Sequence, residues 1–106
     1  LPTLTNMDLI SAAKNGHFDS VFNLLQSGYS TNVCDKDNAT PLYWSACHGH
    51  STICVILIQA GSDVNTRVKW GSTALHAAAD RGHKPCIEVL LESMIEHVHV
   101  YSFIIR

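Results

Sequence analysis

The sequence predicts an all-α fold: a helical solenoid of stacked helix-turn-helix repeats with connecting hairpin loops. Three observations predict it. The doublet Gly-His recurs at Gly16-His17, Gly49-His50 and Gly82-His83, two steps of 33 residues. At the same offset Leu9, Leu42 and Leu75 align, as do Ala13, Ala46 and Ala79, then Leu24, Leu57 and Leu90, then Leu25, Ile58 and Leu91. Loop positions repeat as well: Thr40 with Thr73, Gly28 with Gly61, Asn32 with Asn65.

Taken in chain order, the frame divides one domain spanning 1–106 into repeats at about 6–37, 38–70 and 71–93, with an atypical tail at 94–106. The first unit opens on Met7-Asp8 in place of a hydroxyl-proline start, as a terminal capping repeat does. In the second unit Thr40 supplies an N-cap and Pro41 the first helical position, where its missing N–H costs nothing. That helix is expected to run to about Cys47 and to end at Gly49-His50. The apolar positions Ile53, Cys54, Ile56, Leu57 and Ile58 then lie on a broad helical face that stops at Gly61, a residue suited to a left-handed C-terminal cap. Ser62 to Ser72 reads as an extended hairpin closing on Gly71. Asn38 is the counterpart of Gly71 in the preceding loop, and Asn also tolerates the left-handed conformation. The third unit repeats the plan from Thr73, with small residues Ala77, Ala78 and Ala79 that let units approach closely. Beyond Ser93 the pattern lapses. Val98 to Ile105 alternates and then runs apolar, with high β-propensity and little charge, and is expected either to cover the last repeat's open face or to stand exposed as an adhesive segment.

Composition narrows the class of protein. A hydrophobic fraction of 46% with 15% charged residues suits a folded chain and excludes a solvated tail. Seven Lys and Arg against nine Asp and Glu leave a net charge of −2 without a run of like charge, which argues against nucleic-acid binding. The longest apolar run, Ile53 to Ile58, is too short to span a membrane, and no leader-like segment opens the chain. Four cysteines without a C-x-x-C pair read as reduced thiols of a cytoplasmic or nuclear protein. The seven histidines imply some sensitivity to pH.

Two chemistries compete with a purely structural reading. Cys47, His48, His50 and Cys54 lie close in sequence, and His83 stands near Cys86, which invites a metal site. The repeat frame argues otherwise, because Cys54 aligns with Val21 and Ile87 at core positions while His50 belongs to a turn. These residues are read as packed thiols and turn histidines bonded to backbone groups, with no metal and no cofactor. Cys47 beside His48 is the one local nucleophile–base pair, but adjacent helical residues point about 100° apart. No enzyme is expected.

The match of Thr40-Pro41-Leu42, and in the next unit of Thr73, Leu75, His76 and Ala78, to the signature T-P-L-H-x-A resembles the ankyrin-repeat family over about residues 6–93. The resemblance implies a monomeric module that holds a partner protein on its concave first-helix surface and hairpin tips. On this frame the tip residues are Lys36, Asp37, Lys69 and Trp70, and the concave residues are Ala39, Cys47, His48, Ser72, Asp80 and Arg81, with Lys14 and Asn15 in the first unit. Trp70 is expected to stand out from its tip and meet the partner, whereas Tyr43 and Trp44 are expected to be partly buried. The resemblance also allows an alternative, a structural or adaptor fragment of a longer array such as ubiquitin-ligase substrate adaptors carry. A start at Leu1 rather than Met is expected of a processed or excised chain.

Overall fold

The computed structural model describes the backbone of residues 6–105 and the side chains of residues 9–95. Six helices follow in order: α1 Asn6–Lys14, α2 Phe18–Gln26, α3 Pro41–Cys47, α4 Ser51–Gln59, α5 Ala74–Asp80 and α6 Lys84–Ile105. The helices form two layers, α1, α3 and α5 side by side in one and α2, α4 and α6 in the other. The expected all-α stack of helix pairs is therefore what the chain forms.

Local chemistry places the helix starts. Thr40 accepts the N–H of Tyr43 ahead of Pro41, and Thr73 accepts the N–H of His76 while its own N–H donates to His76 Nδ1. These side chains satisfy amide groups that the first turn of a helix leaves without partners. The loops close at their tips by turns: Asp35 N–H donates to Ala39 O and Asn38 N–H to Asp35 O, just as Val68 N–H donates to Ser72 O and Gly71 N–H to Val68 O. Asn38 has φ 63° and Gly71 φ 90°, so Asn does replace Gly in the left-handed position. The extended hairpin expected over Ser62–Ser72 takes this form of bonded turns, and no strand occurs among the described residues.

Between the layers lie Leu9, Ala13, Val21, Leu24, Leu42, Ala46, Ile53, Cys54, Leu57, Ala78, Cys86 and Leu90. Burying each of the larger aliphatic side chains contributes about 1.5–3 kcal/mol. Burial does not repeat as faithfully as sequence does. Leu75 is half-buried and Ala79 exposed, although Leu9, Leu42, Ala13 and Ala46 are buried, because those positions face the following unit and no further helix pair covers α5 among the described residues.

The Gly-His doublets join neighbouring units. His50 Nε2 donates to the carbonyl of Lys14 at 3.0 Å, and His83 Nε2 to that of Cys47 at 3.1 Å. Each ring lies on the glycine of the preceding doublet: a Cβ on Gly16 would stand 2.7 Å from His50, and one on Gly49 2.7 Å from His83. The turn histidines thus bond backbone groups as expected, and they do so across the repeat interface.

The tail, to whose β-prone residues the sequence assigned no backbone form, is helical. Gly28 and Gly61 end their helices near φ 92° and 103°, but Met94 holds the equivalent position and α6 runs on to Ile105. A side chain strongly disfavours the left-handed stop, so the helix continues despite β-prone residues. Whether the tail side chains cover the last repeat lies outside the described residues. Ending the chain after Ser93 is expected to lower stability by about 1 kcal/mol or more while leaving it helical; an unchanged denaturation midpoint by circular dichroism would show that the extension supports nothing.

Candidate functional site

Asp35 organises the second unit's loop and the face beside it. Its Oδ1 accepts the N–H groups of Asp37 and Ala39 at 2.9 and 3.0 Å, and Oδ2 accepts the indole N–H of Trp44 at 2.9 Å. Burial alone would push this carboxyl up, but the bonds from Trp44, Ala39 and Asp37, together with Lys14, outweigh it and hold the carboxyl below its ordinary value. Trp44 is half-buried and held by that bond. Lys14 Nζ stands 4.4 Å from the ring centroid, a cation–π distance. The stack continues through His48, 6.0 Å from Trp44, to His50, 6.3 Å further. Burial first, then the charges of Arg81, Lys14, His50 and His83, holds the His48 imidazole below the ordinary histidine value.

The two loop tips are tied to each other. Lys69 N–H donates to Asp37 O at 3.0 Å, and Asn38 Nδ2 donates to Arg67 O at 2.7 Å. Arg67 in turn donates to Gly71 O, bracing the turn that carries Trp70. Tyr43 is buried and meets the edges of Trp44 and Trp70 at 5.5 and 6.3 Å. Burial pushes its phenol up, so the ring stays neutral.

Of the residues assigned to this surface from sequence, Lys36, Lys69, Trp70, His48, Asp80 and Arg81 are exposed, as are Lys14 and Asn15. Trp70 is 59% exposed. Asp37 and Ser72 are half-buried. Ala39 and Cys47 are corrected: at 0% and 5% exposure they pack with Tyr43, Val68 and Ala77 beneath the surface and cannot touch a partner. Tyr43 and Trp44 are buried and half-buried, as expected. Asp35 was not among the assigned residues, although Asp followed by Lys-Asp-Asn signals a side-chain-bonded turn.

The sulfur and imidazole groups are separated by the same geometry. Cys47, Cys54 and Cys86 are buried, and Cys34 is exposed on its own loop. Burial pushes the Cys54 thiol up to about 12 and raises that of Cys86, so neither is a ready thiolate. Cys54 Sγ lies 3.3 Å from Ser45 Oγ, within the core. Among the described residues no three His, Cys, Asp or Glu side chains converge on a point where an ion could sit. The purified chain is expected to carry no stoichiometric zinc and to keep its helical dichroism in chelator; one bound equivalent with chelator-induced unfolding would overturn this, because structural zinc contributes folding free energy directly.

No protein among the curated ones matches the chain. A family model described as ankyrin repeats, in three copies, matches residues 9–100, which is most of the sequence. Together with the stacked helix pairs and the bonded loop tips, that match means the chain belongs to the ankyrin-repeat family.

Proposed function

We propose that the chain is a non-catalytic recognition module that grips a partner protein across its loop tips and the face of α1, α3 and α5. Ankyrin repeats are generally protein-interaction modules. The observation that carries the reading here is Trp70, a large apolar ring 59% exposed on a tip bonded to its neighbour. A ring held ready in this way loses little freedom on binding, and a face of about 800 Å² suffices for a specific complex. Reduced thiols and an intracellular setting fit the same reading.

A second reading, a stretch of a longer array serving as an adaptor, is favoured by the exposure of Ala79 and by Leu91 at 42%, positions whose counterparts are more covered in the earlier units. Affinity capture from lysate tests the first reading, comparing the chain with a doubly substituted Trp70→Ala, Arg81→Ala form whose dichroism is unchanged. A protein retained by the first and lost by the second supports it. Identical retention by both contradicts the assigned surface.

A further inference from the structure

We propose that the face between α1 and α5 recognises an acidic, extended segment of the partner, with successive carboxylates set along Lys14, His48 and Arg81. This rests on the recognition reading above and names the chemistry of what is recognised. Asn15, His48 and Arg81 are equivalent positions, each following the last helical residue or two of a first helix, so they form a row across all the units. Lys14 leans from the first unit over Trp44 of the second. The result sets two cations, Lys14 and Arg81, in the units flanking His48 on a chain whose net charge is −2.

Asp35 and Asp80 border this row and keep their charge, but neither is ion-paired with Lys14 or Arg81 among the described residues. Both carboxylate oxygens of Asp35 are committed to Trp44 and to backbone N–H groups. Asp80 is exposed at the end of α5, and its charge is felt at Tyr43. Neither Lys14 nor Arg81 is held in an ion pair among the described residues. His50 and His83 face the row from the turns after α3 and α5, but each commits Nε2 to a carbonyl. His48 is the exposed imidazole of the row, and its affinity for a proton is lowered first by partial burial and then by the charges of Arg81 and Lys14.

Shape selects a peptide over a small ion. Packed helices lie about 8–10 Å apart, so a row crossing three of them spans ~20 Å, the reach of about six extended residues. The half-buried Trp44 ring and the exposed His48 ring stacked beside it at 6.0 Å lie between the cations, where the stems of glutamate side chains would pass.

The linkage has a definite sign. A bound carboxylate stabilises the imidazolium of His48 and raises its pKa, so affinity increases as pH falls through the interval between the bound and free values. A rise of one unit on binding makes the complex about tenfold tighter below that interval than above it.

The test uses the full chain and a labelled peptide of about eight alternating glutamate and alanine residues, with glutamine replacing glutamate in the control, at low salt. Binding of the glutamate peptide is expected to tighten about fivefold from about pH 7.5 to about pH 5.5, a window that covers most of that interval and in which glutamate is still ionised. His48→Asn should abolish most of that pH dependence, and Arg81→Gln should weaken binding severalfold at both pH values, each with unchanged dichroism. Equal binding of the glutamine peptide, pH dependence surviving in His48→Asn, or displacement by inorganic phosphate at the peptide's own concentration would overturn the proposal. A captured partner that needs Trp70 but whose binding ignores His48 and Arg81 would overturn it too, and would leave the recognition reading standing. Loss of specific capture altogether would remove that reading as well.

Discussion

Replacing Gly49 by Ala is expected to destabilise the chain by about 3–5 kcal/mol, more than any exposed substitution should. Two effects add. Gly49 has φ 80°, a conformation that costs an L-residue about 1–2 kcal/mol. The new Cβ would also lie 2.7 Å from Nδ1 of His83, so the ring must leave its place. Its bond to the Cys47 carbonyl is lost with it, about 1 kcal/mol, along with packing at the repeat interface. Gly61→Ala is the control, because φ there is 103° but nothing stands within 4 Å of an added Cβ; it should cost only about 1–2 kcal/mol. Chemical denaturation of both variants measures the difference, and equal losses would mean that His83 does not bear on Gly49. The pair Gly49→Ala and His83→Ala gives a sharper version. If the ring is what the methyl meets, the double variant should lose clearly less than the sum of the single ones.

That contact also shows where reading the sequence stops. The Gly-His doublet was plain at 33-residue spacing, and its helix-breaking role followed from glycine alone. The spacing establishes that His50 and His83 are equivalent; it does not reveal that each reaches back to the glycine of the unit before. Equivalence also overstates burial: Leu75 repeats Leu42 in sequence but not in environment, because burial is a property of the neighbouring unit. Ala39 and Cys47 were placed on the recognition face by the frame, yet one residue of helix turns a side chain by about 100°, enough to put Cys47 under α5 and leave His48 in solvent. The caps at Thr40 and Thr73 and the left-handed Asn38 were legible because each depends only on its own side chain and backbone. The form of the tail was not legible for the converse reason. Its β-propensity is a weak preference, whereas the absence of glycine at position 94 leaves a helix already under way without a stop.

Trp70→Ala is expected to cost about 2 kcal/mol or more of partner binding, a loss of roughly thirtyfold in affinity. The ring is 59% exposed, rigid and amphipathic, and its tip is fixed by the Arg67 bond to Gly71 and the Lys69 bond to Asp37. Such an anchor contributes through area buried at little cost in freedom. Folding should notice the change much less. Among the described residues the side chain's aromatic neighbour is Tyr43, met edge-on at 6.3 Å, and pairs of this kind contribute about 0.5–1.5 kcal/mol. Stability should therefore fall by about 1 kcal/mol while affinity falls further. Asp37→Ala at the aligned tip is the comparison, since loss of a rim charge alters association rate and salt dependence more than residence time. The decisive measurement is paired, the denaturation midpoint of the free chain and a titration against the captured partner. Lost stability with unchanged affinity would mean that Trp70 serves Tyr43 and the loop rather than a partner, and the energetic centre of recognition would then move along the face to His48 and Arg81.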